Sequence, residues 1–330
     1  VGFKLILLRT KNMGVLGLRH NSDIRTLAFT ALFFILLAHN WANWETARPT
    51  YFWLMWCVQC YFSFVGAVAV HNIIHCPAFH GKFSNKVLQC VLSCTYGHPV
   101  SNYVPGHNLS HHQNTQSTRD VMRTSKLRFK WHLLNGLFFF PIIGIAMLGN
   151  DAEYFDSQKK NRRPIYKQMQ LEKMVLWTFY ICLLILDWRK ALLLSFAPHL
   201  FAKFCIITLN MLQHDGCDQE SEYNHSRNFV SPLLNFLCYN NGFHSIHHMH
   251  PGWHWSILPA KHAELVKPHI HPNLDQWSIL VYIFKTFIFP GVRIDYLGKP
   301  VKLPPLEKDR DQPWFYDTNE TYSSKGDDFN

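Results

Sequence analysis

Apolar residues gather along the chain into four long runs, at residues 24–41, 51–70, 174–186 and 191–212. The first two are separated by the polar stretch 42–50, and the last two by Asp187-Trp188-Arg189-Lys190. A bilayer core of about 30 Å takes about 20 helical residues, so three of the runs can cross alone and 174–186 is the short one. The pattern predicts an all-α integral membrane protein, with four transmembrane helices in two hairpins and the polar remainder folded as a helical cap on one side. Residues 1–299 read as one such domain, and 300–330, polar and carrying Pro304-Pro305, as a loosely held tail.

Two further segments are apolar without clearly spanning. Residues 133–148 (LLNGLFFFPIIGIAML) contain Gly136, Pro141 and Gly144, which weaken a straight helix. A crossing there would also put the basic stretches before and after it on opposite sides, against the positive-inside rule. The segment therefore reads as a helix pair or re-entrant element at the interface, with both termini and the cap in the cytoplasm. Residues 276–289 are amphipathic, with Trp277 and Tyr282 suited either to the headgroup level or to the core of the cap.

Composition supports the membrane reading. Of 330 residues, 48% are hydrophobic and only 16% charged, where soluble domains carry about 25%. The net charge is +10, but no basic helix or motif of a nucleic-acid binder is present. The basic residues lie between apolar stretches, which suits an anionic membrane surface. Most of the nine cysteines sit inside apolar runs, so buried thiols are expected, and Cys57-Val-Gln-Cys60 reads as packing.

Histidine is the outlier, at 21 residues against 22 Asp plus Glu. His71-Asn-Ile-Ile-His75 closes the second run, and His107-Asn-Leu-Ser-His111-His112 follows it. Asn210-Met-Leu-Gln-His214 closes the fourth run, and His244-Ser-Ile-His247-His248 comes next. Helical residues three or four apart share a face, so each box can aim two imidazoles at one point. The doubled histidine, rotated by one residue, can reach a second metal. A random chain of this composition gives roughly one HxxxH but only roughly 0.1 of a three-histidine box, and here there are two. Nine imidazoles exceed the coordination of one ion and argue for two; ligand type alone leaves zinc, copper, iron and nickel open.

The order HxxxH, HxxxHH, NxxxH, HxxHH resembles that of the membrane fatty acid desaturase and hydroxylase superfamily, over about residues 51–259. The resemblance implies two iron ions on the cytoplasmic side, held by His71, His75, His107, His111, His112, His214, His244, His247 and His248, with Asn210 acting through a water. No catalytic group beyond these is implied. It further implies O2-dependent desaturation of a fatty acyl chain, or hydroxylation or ketolation of an alkane, sterol or carotenoid. The protein would be multi-pass, in the endoplasmic reticulum of a eukaryote or the inner membrane of a bacterium. No haem domain, iron–sulfur spacing or GxGxxG motif is present, so electrons would come from a separate donor such as cytochrome b5, ferredoxin or rubredoxin. Asp120, Asp215 and Asp218 lie near the boxes and read as surface carboxylates more readily than as partners of the ligands. A reading from another class, a metal-binding transporter or sensor, calls for ligands at the bilayer midplane, whereas these boxes sit at the ends of the runs.

Overall fold

The computed structural model describes residues 15–314, which are predominantly helical. Helix α1 is Ile24–Ala42 and α2 is Pro49–His75, the latter opening on a proline whose missing N–H costs nothing in a first turn. Polar side chains within this apolar pair satisfy one another. Asn40 Nδ2 donates to Gln59 Oε1 at 2.7 Å, and Gln59 Nε2 donates to the Leu194 carbonyl at 2.6 Å. Helix α3 (Lys82–Tyr96) ends at Gly97 with φ 72°. Besides that left-handed backbone, a side chain at Gly97 would collide with the Tyr180 hydroxyl and His199, so glycine is required twice over.

After a π-helical segment, Val104–His111, and the single turn α4 (His112–Asn114), three long helices follow. These are α5 (His132–Lys160), α6 (Pro164–Ala191) and α7 (Ala197–His214). Helical geometry breaks at Asp187 (φ −165°, ψ 108°), and the chain folds back there. The proof is a hydrogen bond. Tyr180 Oη lies 2.6 Å from His199 Nδ1, whereas 19 residues of continuous helix would hold them about 28 Å apart.

By length and composition, four stretches can cross a membrane: Asn21–Ala42, Pro49–His75, His132–Lys160 and Pro164–His214. The runs that read as spans from the sequence lie in the first, second and fourth of these, and the third reads from it as interfacial. Runs 174–186 and 191–212 belong to one stretch of 51 residues, and the third stretch is α5. Residues 133–148, read as a helix pair or re-entrant element at the interface, are part of a single helix of 29 residues. Pro141 is exposed in that helix, which runs unbroken through it. Both halves of α5 run beside the histidine-box segments. His132 Nε2 is 3.4 Å from Asp215, next to His214, while Tyr154 and Phe155 share a core with Val104 and Leu109.

Residues 276–289 form two short turns of helix, Ile279–Ile283 and Phe284–Ile288. Phe287 is buried against Phe139 and Ile143 of α5, while Trp277, Leu280, Phe284 and Ile288 point outward. Both sequence readings of this segment thus describe one of its faces. The tail is pinned as far as Trp314, which corrects the expectation of a loose end. Asp309 accepts from Arg123 Nε at 2.8 Å and from Arg128 Nη2 at 2.6 Å, the Gln312 amide bonds the Thr118 carbonyl, and Trp314 Nε1 bonds Asn150. The remainder of the expected tail lies outside the described residues.

Candidate metal centre

The last two turns of α2 carry His71 and His75 into the cap, and α7 delivers His214 from its final residue. Helix α8 (His244–Met249) supplies the last box, and the π-helical segment with α4 supplies the second. Nine imidazoles from these four places gather into two groups able to hold a metal ion. His71, His75, His107, His112 and His247 form one, and His111, His214, His244 and His248 form the other.

The partition follows from local helix geometry. In α8, His244 and His248 are four apart and serve one group, while His247 is offset to the other. In the second box the i→i+5 pattern of a π-helix turns His107 and His112 to the same side, leaving His111 for the second group. The expectation that the third histidine of each box reaches the second ion is therefore not met. The middle one crosses over in both.

Ring nitrogens meet head-on inside each group. His112 Nε2 lies 3.1 Å from His107 Nε2 and 3.2 Å from His247 Nε2. His244 Nε2 lies 2.9 Å from His214 Nε2 and 3.1 Å from His248 Nε2. Ligands at right angles on bonds of about 2.1 Å stand about 3.0 Å apart, so these separations suit atoms sharing an ion. His75 Nε2 and His111 Nε2 are buried with no hydrogen-bond partner, as the same arrangement requires. Burial first, and then neighbouring imidazoles, hold His107, His112, His244, His247 and His248 well below the usual imidazole range. Each is neutral at physiological pH, with a lone pair to give.

The outer nitrogens are held by the protein. His111 Nδ1 is 2.8 Å from Asp120 Oδ2, with both side chains fully buried. Asp120 is itself fixed by the amides of Gln116 and Met122. His214 Nδ1 donates to the His225 carbonyl at 3.3 Å, and the Asn241 amide lies 3.1 Å from His71 Nδ1. All three contacts orient a ring, and the Asp120 carboxylate and His225 carbonyl, by accepting the ring N–H, also raise the basicity of His111 and His214. Asp120 is thus no surface carboxylate. Asp215 is not one either: it is buried against Arg293, which also bonds the Leu127 and Thr124 carbonyls. Asp218 only caps a turn, accepting from the Glu220 amide. Asn241 lies three residues before the last box, a signal the sequence offered; the contact to His225 runs through backbone and has none.

Asn210 lies beside the two groups. Its Nδ2 donates to the Met122 carbonyl at 3.2 Å, and it lines a void of about 10 Å³ together with His71, His107 and His244. His250 stacks on Trp253, and His254 bonds Asp23 at 3.1 Å; both stay outside the groups. A larger cavity of about 350 Å³ reaches His107 from between α3, α5 and α7, with mostly apolar walls.

The family model for fatty acid desaturases matches residues 48–277, from the start of α2 past the last histidine box. A comparison with curated proteins returned no match. The match spans most of the chain, and its helices, histidine groups and apolar cavity agree with it: the chain belongs to the fatty acid desaturase family, whose members are oxidoreductases.

Proposed function

We propose that this protein removes hydrogen from an unactivated C–H bond of a fatty acyl chain, with O2 as oxidant and desaturation as the outcome. The convergence of nine imidazoles from four separate segments beside an apolar cavity carries the reading. The nine histidines would hold two iron ions, and a void of about 10 Å³ beside Asn210, near the lower limit for one water, suits an indirect role for that residue. When bound, the iron pair supplies O2 activation and the oxidising power for breaking the C–H bond. The chain's own work is to orient the imidazoles through Asp120, Asn241 and the His225 carbonyl, to exclude water, and to lay one methylene beside His107.

Parity of crossings supports the topology. All four boxes meet at one place, so an even number of spans must separate the second box from His214. The reversal at Asp187 supports reading α6 and α7 as a membrane hairpin, which would leave α5 lying along the cap, its exposed Leu137, Ile145 and Leu148 turned to lipid. The short turns 43–48 and 187–190 would then face away from the cytoplasm, and the Lys/Arg-rich cap toward it. Electrons would come from a separate donor protein.

Lipid profiling of a host expressing the chain tests this. New alkenes are expected, together with about two irons per purified chain. New alcohols or ketones would move the assignment to hydroxylation or ketolation. A single zinc or copper, with no O2 consumed, would replace the enzyme by a metal carrier.

A further inference from the structure

The cavity that reaches His107 is not uniformly apolar. Ile206 and Ile207 of α7 and Met122 line it near the histidines, but its walls also include Lys203, His98 and Asp151. Lys203 precedes His214 by eleven residues on α7, about 16 Å along the axis. A lysine inside an apolar helix is expensive and normally marks a functional contact.

The charges around it do not cancel. His98 is kept neutral, at about 3, by burial and by Lys203 and Lys173 beside it. Burial pushes the Asp151 carboxyl up to about 8, with Lys173 pulling the other way, so at neutral pH it carries little charge. Lys203 thus has no ionised carboxylate in this wall to offset it, and no ion pair is found for it among the described residues. Asp151 Oδ1 is buried without a hydrogen-bond partner. An uncompensated cation and an unsatisfied carboxyl oxygen thus lie in the wall of one apolar cavity, both asking for a polar ligand group.

We propose that this cavity binds an anionic amphiphile head-inward, its carboxylate or phosphate on Lys203 and its hydrocarbon running along Ile206 and Ile207 to His107. Asp151 Oδ1 accepts from a hydroxyl of the head or a water bound to it. Ile145 and Leu148 line the same cavity and are 72% and 65% exposed, so the hydrocarbon enters sideways from the lipid between α5 and α7. The proposal rests on the reading that this cavity serves the metal centre, and it excludes substrates with only a neutral head.

Binding to the detergent-solubilised, metal-loaded protein tests it, with oleate, oleyl alcohol and dioleoyl phosphatidic acid as probes. Oleate or phosphatidic acid should bind at least tenfold more tightly than oleyl alcohol. Whichever of the two acids wins identifies the head as carboxylate or phosphate. Lys203→Met should erase that advantage while leaving oleyl alcohol unaffected, and Lys203→Arg should keep it within about threefold; one decade is about 1.4 kcal/mol. Equal affinity of alcohol and acids for the native protein, or an unchanged preference in Lys203→Met, overturns the proposal. Metal content is read on the same samples. Two metals in Lys203→Met with the acid preference lost separates a head-group role from damage to the centre. A preference that persists in a protein without desaturase activity would sink the enzymatic reading and leave the binding site standing.

Discussion

His111 shows most plainly what a side chain needs to serve in this centre. Its ring is fully buried, one nitrogen is engaged by Asp120 at 2.8 Å, and the other faces the group formed with His214, His244 and His248. Asp120→Ala should keep the fold yet lower metal affinity of the four-histidine group by roughly 10–100-fold, the usual effect of losing such a support. Competition with a chelator measures it, and unchanged affinity would leave Asp120 a purely structural residue. His247→Ala should abolish turnover with membrane insertion intact and bring bound metal from about two per chain toward one. A variant with full activity would remove His247 from the centre.

Among the elements, the tail segment around Asp309 matters most, because it braces the loop that carries Asp120. Arg123 is buried, bonds Asp309 and Asp311, and also donates to the Asp120 carbonyl at 3.4 Å. Asp309→Ala would leave that guanidinium short of a partner. Breaking a buried pair costs about 3–5 kcal/mol, and the remaining bond to Asp311 should keep the loss near or below the lower figure. A clear fall in Tm is the expected reading, and an unchanged Tm would show that the tail contributes nothing. The hairpin contact behaves differently. Tyr180→Phe deletes the hydroxyl that meets His199, and hydrogen bonds between apolar helices in lipid average only about 0.6 kcal/mol, so its Tm should scarcely move.

For the molecule as a whole, the metal groups are also the place where helices from both halves of the chain are tied together. Their facing nitrogens gain little from one another without a cation between them. Stripping metal with a chelator should therefore lower Tm, by an amount equivalent to about 2.7 kcal/mol if free metal stood at 100 times its Kd beforehand. A metal-independent Tm would mean that the cap is held by its apolar cores alone. Topology is checked with an impermeant maleimide on sealed vesicles. Glu45→Cys and Lys308→Cys should label from opposite sides, above the background of native thiols, and labelling from the same side would end the two-hairpin arrangement.

The chain's own pattern determined a good deal. The apolar runs set where α1, α2 and the folded-back pair α6 and α7 lie, because helix length in lipid is dictated by hydrocarbon thickness. The spacing of the boxes marked the nine histidines, because i, i+3 and i+4 positions on a helix share a face whatever surrounds it. Tertiary structure alone decided which histidine joins which group, since a π-helical turn in the second box changes the angular offset that spacing assumes. It also decided that α5 is one helix, that Asp120 is buried, and that the tail is clamped at Arg123. Each of these rests on partners far away in sequence, Arg123 and Asp309 being 186 residues apart, and no local periodicity carries information across such a distance.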